Sequence, residues 1–393
     1  MVPAIAFAIL IVGMALALVL DRLWLDAARV ELVTATEAAA LAAANQMADD
    51  ELLRLEPNMS TVLDSARAKA AEVAASNMVA GSPLELDQSE QGDIRFGRIV
   101  ADADTGLGKF LEIDYRPTSV VVFGGRTRKF GNPVALFFRQ LTGQASGDLV
   151  ATAEASIDNR IVGVRPYEGA NTPAIPLAIL DKHLDPRRVD TWTHQIDGRL
   201  GSDDYGYNAA TGEITNTPDG IPEFLIHSAK QDAKEEDVEK ANCHLADLGT
   251  GLNPSELARQ FTSGWTVADL ADFGGEFRLD GSPETLDSNA ILGQDELSSL
   301  EDLVGRARIC VLYQNPRSQR GIPGQAKVEA TRLVAVRILT VREAAGKSVE
   351  ILVQPAVVTT RTALVSEVGA TWSADPEVQY ETNPYIYKLF LTQ

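Results

Sequence analysis

Hydrophobic and polar residues are distributed very unevenly along the chain. Val2 to Leu20 (VPAIAFAILIVGMALALVL) holds no charged or strongly polar side chain. That is close to the ~20 residues needed to cross a hydrocarbon layer of about 30 Å. The apolar run leads directly into Asp21–Glu56, where no Gly or Pro occurs before Pro57 and strong helix formers dominate. The pattern predicts one helix of roughly 50 residues, some 75–80 Å long at about 1.5 Å per residue. Leu25, Ala28, Leu32, Ala35, Ala39 and Ala42 recur at intervals of three and four, a narrow face of small side chains that lets helix backbones approach closely. Two readings follow: a spine that packs on similar helices, or a stalk that packs on its own domain.

A second helix is expected after Asn58 or Ser60, with Met59, Val62, Leu63, Ala66, Ala70 and Val73 on one side and Gly81 and Pro83 as its stop. Residues 94–102, 109–115 and 119–125 alternate as strands joined by Gly- and Asp-rich turns. Asn132 and Pro133 read as the cap and first position of a helix ending at Gly143, and residues 148–157 as a further strand. Residues 170–179, rich in Pro and Thr, read as a linker. Asn253–Glu256 and Thr266–Asp269 carry helix-start signatures, and residues 296–304 read as a short helix. From Arg306 onward the pattern is β, with a hairpin turn at 344–347. The expected fold class is α+β: a transmembrane segment (1–20), a helical spine and second helix (21–83), and two mixed domains with largely antiparallel sheets (84–165 and 166–393).

Charge changes the picture in one respect. The chain carries 55 acidic and 35 basic residues, a formal net charge of −20. Such a chain repels phosphate backbones, so no nucleic-acid partner is expected. The apolar start reads as a retained membrane anchor, because a cleaved secretory signal has a shorter apolar region, a basic start and a small-residue cleavage site. A large acidic portion behind such an anchor is most simply exported.

The residue patterns carry little chemistry. Cys243 and Cys310 fit either one disulfide or two buried thiols. His183, His194, His227 and His244 show no zinc spacing. His244 beside Cys243 suggests a nucleophile pair, yet adjacent residues on one element point in different directions. Asp197, Asp203 and Asp204 lie in a Gly-rich stretch that misses the EF-hand spacing and reads as ordinary turns. The AGKS at 345–348 lacks the first glycine of a P-loop and precedes a strand. Gly124–Lys129 (GGRTRK) reads as a solvated hairpin tip, with contact to anionic lipid heads as the alternative. No catalytic residue, metal or cofactor is expected, and the chain reads as a non-enzyme.

The apolar span, DRLWL (Asp21–Leu25) and EAAALAAA (Glu37–Ala44) together resemble the Flp-pilus-assembly TadE/TadG-like family. The resemblance is sharpest over about the first 50 residues and weaker through residues 131–143, 148–156, 221–226 and 349–356. Extended members can carry a von Willebrand-type domain with an Asp-x-Ser-x-Ser metal site, which is missing here. Residues 1–20 also lack the glutamate that follows the cleavage point of type IV pilins, so prepilin-peptidase processing is not expected. The resemblance implies a single-pass pseudopilin-like structural protein of the cytoplasmic membrane, its bulk extracytoplasmic. Its partners would be the lipid bilayer and other pilin-like or Tad secretion-system proteins. Asp21 and Arg22 would mark the membrane boundary, and Ala28, Leu32, Ala35, Ala39 and Ala42 the helix-packing face. The alternative is a membrane-tethered extracytoplasmic ligand-binding module or enzyme.

Overall fold

The computed structural model describes residues 2–101, 108–281, 283–319, 322–344, 346–366 and 382–392. Contacts divide the chain into two compact units. One holds Met1–Met47, Asn58–Ile157 and Leu389–Gln393, the other Ala48–Pro57 and Asp158–Lys388. These cut across the segments expected from sequence: residues 21–47 and 58–83 belong with the first sheet instead of forming a separate spine.

In the first unit, helix α1 spans Val2–Met47, 46 residues. At about 1.5 Å per residue it is ~70 Å long. It stops short of the expected end near Glu56, because Asp49 leaves helical geometry and its side chain accepts the Glu51 amide at 2.8 Å, starting a separate 3-10 turn over Asp50–Leu53. Helix α2, Met59–Ala75, begins where expected: Asn58 caps it by accepting from the Thr61 amide. It ends before Gly81, which with Ala80 forms the positive-φ turn between the short strands Met78–Val79 and Ser82–Pro83. Strands β1 (Ile94–Ala101), β2 (Gly108–Glu112), β3 (Ser119–Arg126) and β4 (Leu149–Asp158) lie in the order β4-β3-β1-β2, every pairing antiparallel. Residues 389–392 border β4, where the Ser156 and Thr392 hydroxyls are 2.8 Å apart.

The alanine stripe of α1 is used inside this unit. Ala28, Leu32, Ala35 and Ala39 are at most 1% exposed, and Ala40, Ala43, Ala44 and Met47 extend the buried face, while Ala42 is half-buried. α1 packs on α2, whose Val62, Leu63, Ala66, Ala70 and Ala74 are buried, and on β3. The approach to β3 is close enough that a Cβ at Gly124 would collide with the Thr36 hydroxyl. Of the two readings of the stripe, the second holds: it packs on its own domain. The small side chains permit that approach, and their burial leaves them unavailable to other rods.

The second unit is built on seven strands. These are β5 (Ala174–Leu180), β6 (Phe224–His227), β7 (Cys243–Ala246), β8 (Glu284–Asn289), β9 (Ala307–Ser318), β10 (Gln325–Glu343) and β11 (Val349–Pro355). Their order is β6-β11-β10-β8-β7-β5-β9, and β9 also pairs with β10. Strands β10, β8, β7, β5 and β9 therefore close a circuit, leaving none of these five with two free edges. All pairings are antiparallel except β5 with β9. The core gathers Trp192, Phe261, Trp265, Phe277 and Tyr313 around the Val, Ile and Leu side chains of the strands.

Two expectations fail in this unit. Residues 170–179 are not a linker, since β5 is buried along its whole length. Its continuous apolar run is what a strand covered on both faces requires, and Pro176 falls where the β5–β9 register shifts. Thr266–Asp269 opens no helix beyond the 3-10 turn Ala271–Phe273: the Asp269 carboxylate binds the Thr266 amide and hydroxyl at 2.6 and 2.7 Å and also holds Arg259. The other signatures hold, with helix α3 (Pro254–Ser263) capped by Asn253, helix α4 at Gln294–Glu301, and the β10–β11 hairpin closed by the Ala344 amide donating to the Ser348 carbonyl at 2.8 Å.

Candidate membrane interface

The two halves of α1 differ in their surroundings. Ile5, Phe7, Ile9, Leu10, Ile11, Val12, Leu16, Leu18, Val19 and Leu20 are all exposed, whereas from Ala28 onward one face is buried. Among the described residues this is one helix long and apolar enough to cross a membrane. An isolated row of exposed leucines and isoleucines costs about 25 cal/mol for each Å² left in water, so such a surface needs a cover.

The transition is marked by a cluster that ties α1 to the stretch after β3. Asp21 is buried although it borders the apolar span. Its Oδ1 accepts the backbone amides of Phe137 and Phe138 at 3.0 and 3.3 Å. One turn along, Trp24 Nε1 donates to the Ala135 carbonyl at 3.2 Å, and the Trp24 ring lies 5.1 Å from that of Phe137. Leu25 sits against Gly147, where an added Cβ would come within 2.6 Å of its side chain. Arg22, expected to share the boundary with Asp21, is exposed and pairs with Asp26 at 3.3 Å.

These contacts explain why residues 133–142 are not the helix that Asn132 and Pro133 predict. Val134–Ala135 pairs with Ser146–Gly147 as a short strand, and only Arg139–Thr142 makes a helical turn. Asn132 is engaged elsewhere: its side-chain oxygen accepts from the Thr127 amide at 2.9 Å. The amides of Phe137 and Phe138, which a helix would have left for intrahelical carbonyls, are held by Asp21. The result is a lip that presents Phe137 (66% exposed) and Leu141 (52% exposed) outward. Both residues fall within the stretch from Asn132 to Gly143 that the sequence pattern assigns to a helix. The signal that could have located the lip is an acid directly after an apolar span, which needs a local donor.

Gly124–Lys129 is likewise only partly a solvated tip. Arg126 is buried, donating from Nε to Asn132 O at 2.7 Å and from Nη1 to Val79 O at 2.9 Å, while Arg128 and Lys129 are exposed. From Phe123 to Gly147 the chain carries four cations, Arg126, Arg128, Lys129 and Arg139, and no acid. This is an unusual run in a chain with net charge −20.

The other candidate residues do not converge. Cys243 and Cys310 are free and buried, on strands separated by β5, and burial pushes both thiols well above their ordinary range. His244 is buried beside Tyr313, its Nδ1 3.1 Å from Ser288 Oγ, and burial lowers its pKa to about 3. Asp197 binds Arg332 and the Tyr385 hydroxyl. Asp203 accepts the amides of Asp219 and Gly220, and the Asp204 amide donates to Glu223. Among the described residues no group of three metal-ligating side chains exists. A cleft of about 330 Å³ is lined by Val238, Ile322 and Pro323 together with Lys234 and Glu235. No protein-family model, curated protein or solved structure matches this chain.

Proposed function

We propose that the chain is a single-pass, membrane-anchored structural protein that acts as a pseudopilin-like component of a Tad/Flp-type pilus or secretion assembly. The observation that carries this reading is the division of α1. Its first half is apolar and exposed over most of its surface, Ala17 excepted, and its second half packs on α2 and β3 through the alanine stripe, with Asp21 holding the Phe137 and Phe138 amides where the halves meet. A helix so divided transmits position: whatever holds the free half fixes the direction in which the first unit projects. Support for the pilus assignment comes from DRLWL and EAAALAAA in the first 50 residues. Since the alanine stripe is spent on internal packing, contact with other pilin-like helices falls to the exposed segment between Ile5 and Leu20, within the cytoplasmic membrane, with the acidic bulk outside the cell interior.

Site-specific photo-crosslinking in cells tests this. A benzophenone side chain at Ile11 should give adducts with other single-pass, pilin-like helices or with a second copy. The same group at Ala39 should give none between chains. Adducts from Ile11 to lipid alone would overturn the assembly reading.

A further inference from the structure

We infer that the lip formed by Val134–Leu141 is a second membrane contact, dipping Phe137 and Leu141 into the headgroup region while Arg139, Arg128 and Lys129 meet anionic lipid heads. The inference rests on the anchoring reading of α1 and deepens it. Its occupant is a phospholipid surface for three reasons. The first is position. Asp21, the first charged residue after the span, holds the amides of Phe137 and Phe138, so the lip leaves α1 at the level where the helix leaves hydrocarbon. The second is chemistry. Phe137, Leu141 and Leu23 are all more than half exposed, and Trp24, whose indole N–H is satisfied by Ala135, packs at a tilt against Phe137. Amphipathic rings of this kind settle at the membrane–water boundary. The third is charge: residues 123–147 carry four cations and no acid in a chain of net charge −20, and although Arg126 is buried and Arg128 lies 3.8 Å from Asp148, Lys129 and Arg139 are exposed. Lys and Arg side chains near an anionic surface are attracted to it. A loop tied to the helix in this way would restrict tilt and rotation of the first unit, which a single flexible anchor does not.

The test uses the full chain in mixed phosphatidylcholine–phosphatidylglycerol vesicles, with single cysteines introduced as Ile11→Cys, Phe137→Cys, Leu141→Cys and Tyr115→Cys. Each is labelled under native conditions with a polarity-sensitive dye, the native thiols being buried. Tyr115 is 76% exposed and precedes β3, whereas the lip follows it, so the two lie at opposite ends of that strand. Eight residues of strand separate them by about 25 Å. Lipid carrying a nitroxide near the top of its acyl chain should remove about half the emission at residues 137 and 141, because interfacial side chains lie ~5–10 Å into that region. The label at 11 should also be quenched and the label at 115 should keep its emission. Quenching at 11 with none at 137 and 141 overturns the inference and leaves the anchor standing. No quenching at 11 either removes the anchoring reading together with the lip. Equal quenching at 115 would show a head sunk in lipid without a specific contact, and would also overturn the inference. Leu141→Cys guards against a local change at Phe137, since it leaves the Trp24–Phe137 contact intact.

Discussion

Asp21 Oδ1 lies 3.0 Å from the amide nitrogen of Phe137, joining residues 116 positions apart in the chain. The same oxygen takes the Phe138 amide. A buried carboxylate holding two backbone donors is a charge-assisted arrangement, and removing it leaves both donors unpaired. Asp21→Ala should therefore lower the stability of the first unit by about 2–3 kcal/mol. Asp21→Asn keeps an acceptor and should cost less. Arg22→Ala, removing an exposed pair with Asp26, should stay within about 0.5 kcal/mol. Thermal unfolding in detergent, read for the three variants side by side, checks this; equal effects of Asp21→Ala and Arg22→Ala would refute it.

The alanine stripe gives a second contrast. Ala39 is fully buried and Ala42 only half-buried. Ala39→Leu forces extra atoms into a closed interface and should destabilise the isolated protein by about 1–3 kcal/mol. Ala42→Leu should be tolerated with a shift below about 1 kcal/mol. Denaturant titration of the purified protein makes the distinction. If Ala39→Leu left stability intact and affected only association, the stripe would face other molecules after all.

The second unit should lose stability in acid through His244. Its folded pKa, held down to about 3 by burial, lies below the ordinary unfolded value near 6.5. Between those values the unfolded chain binds the extra proton, so stability rises with pH across the window and falls as pH drops from about 6.5 toward 3. The loss is on the order of a few kcal/mol. Burial raises the carboxyls of Glu223 and Asp219, which works in the opposite direction, so the His244 contribution is read as a difference between variants. His244→Gln should flatten the wild-type slope between pH 6 and pH 4 (approximate limits of the window). An unchanged slope would mean that His244 is protonated in the folded state.

Cys243 and Cys310 should behave as two inert thiols. Both are fully buried, β5 runs between their strands, and burial disfavours the reactive thiolate. A maleimide probe should label neither in the native protein and both after denaturation, and reductant should leave the unfolding temperature unchanged. Labelling of a native thiol, or a mass two hydrogens low, would contradict this.

Much of the fold is legible in local chemistry. Asn58 and Asn253 cap helices where their side chains predict, and strands β1, β3, β4, β9, β10 and β11 follow runs of apolar alternation. The misses share a cause: a long-range partner outbid the local signal. Asn132 and Pro133 form a sound helix start, but the donors that would enter that helix are claimed by Asp21 from the far side of the sequence. Pro173 and Pro176 read as a linker, but a register shift in β5 accommodates a strand. Thr266 and Asp269 complete their capping contact without a helix behind it. The candidate interface was half legible. The place of Asp21 directly after the span is visible in the sequence, whereas its hold on Phe137 and the docking of Trp24 depend on contacts more than 100 residues away, which no periodicity encodes.

The account stands or falls on the fate of the exposed apolar half of α1. Carbonate extraction of cells producing the full chain, followed by intact mass measurement of the protein in each fraction, addresses it directly. The account predicts that the protein stays with the membrane pellet and that its mass includes the residues from Ile5 to Leu20. Recovery in the soluble fraction as a species lacking those residues would identify the segment as a removed signal and contradict the anchor, the lip and the pilus assignment together.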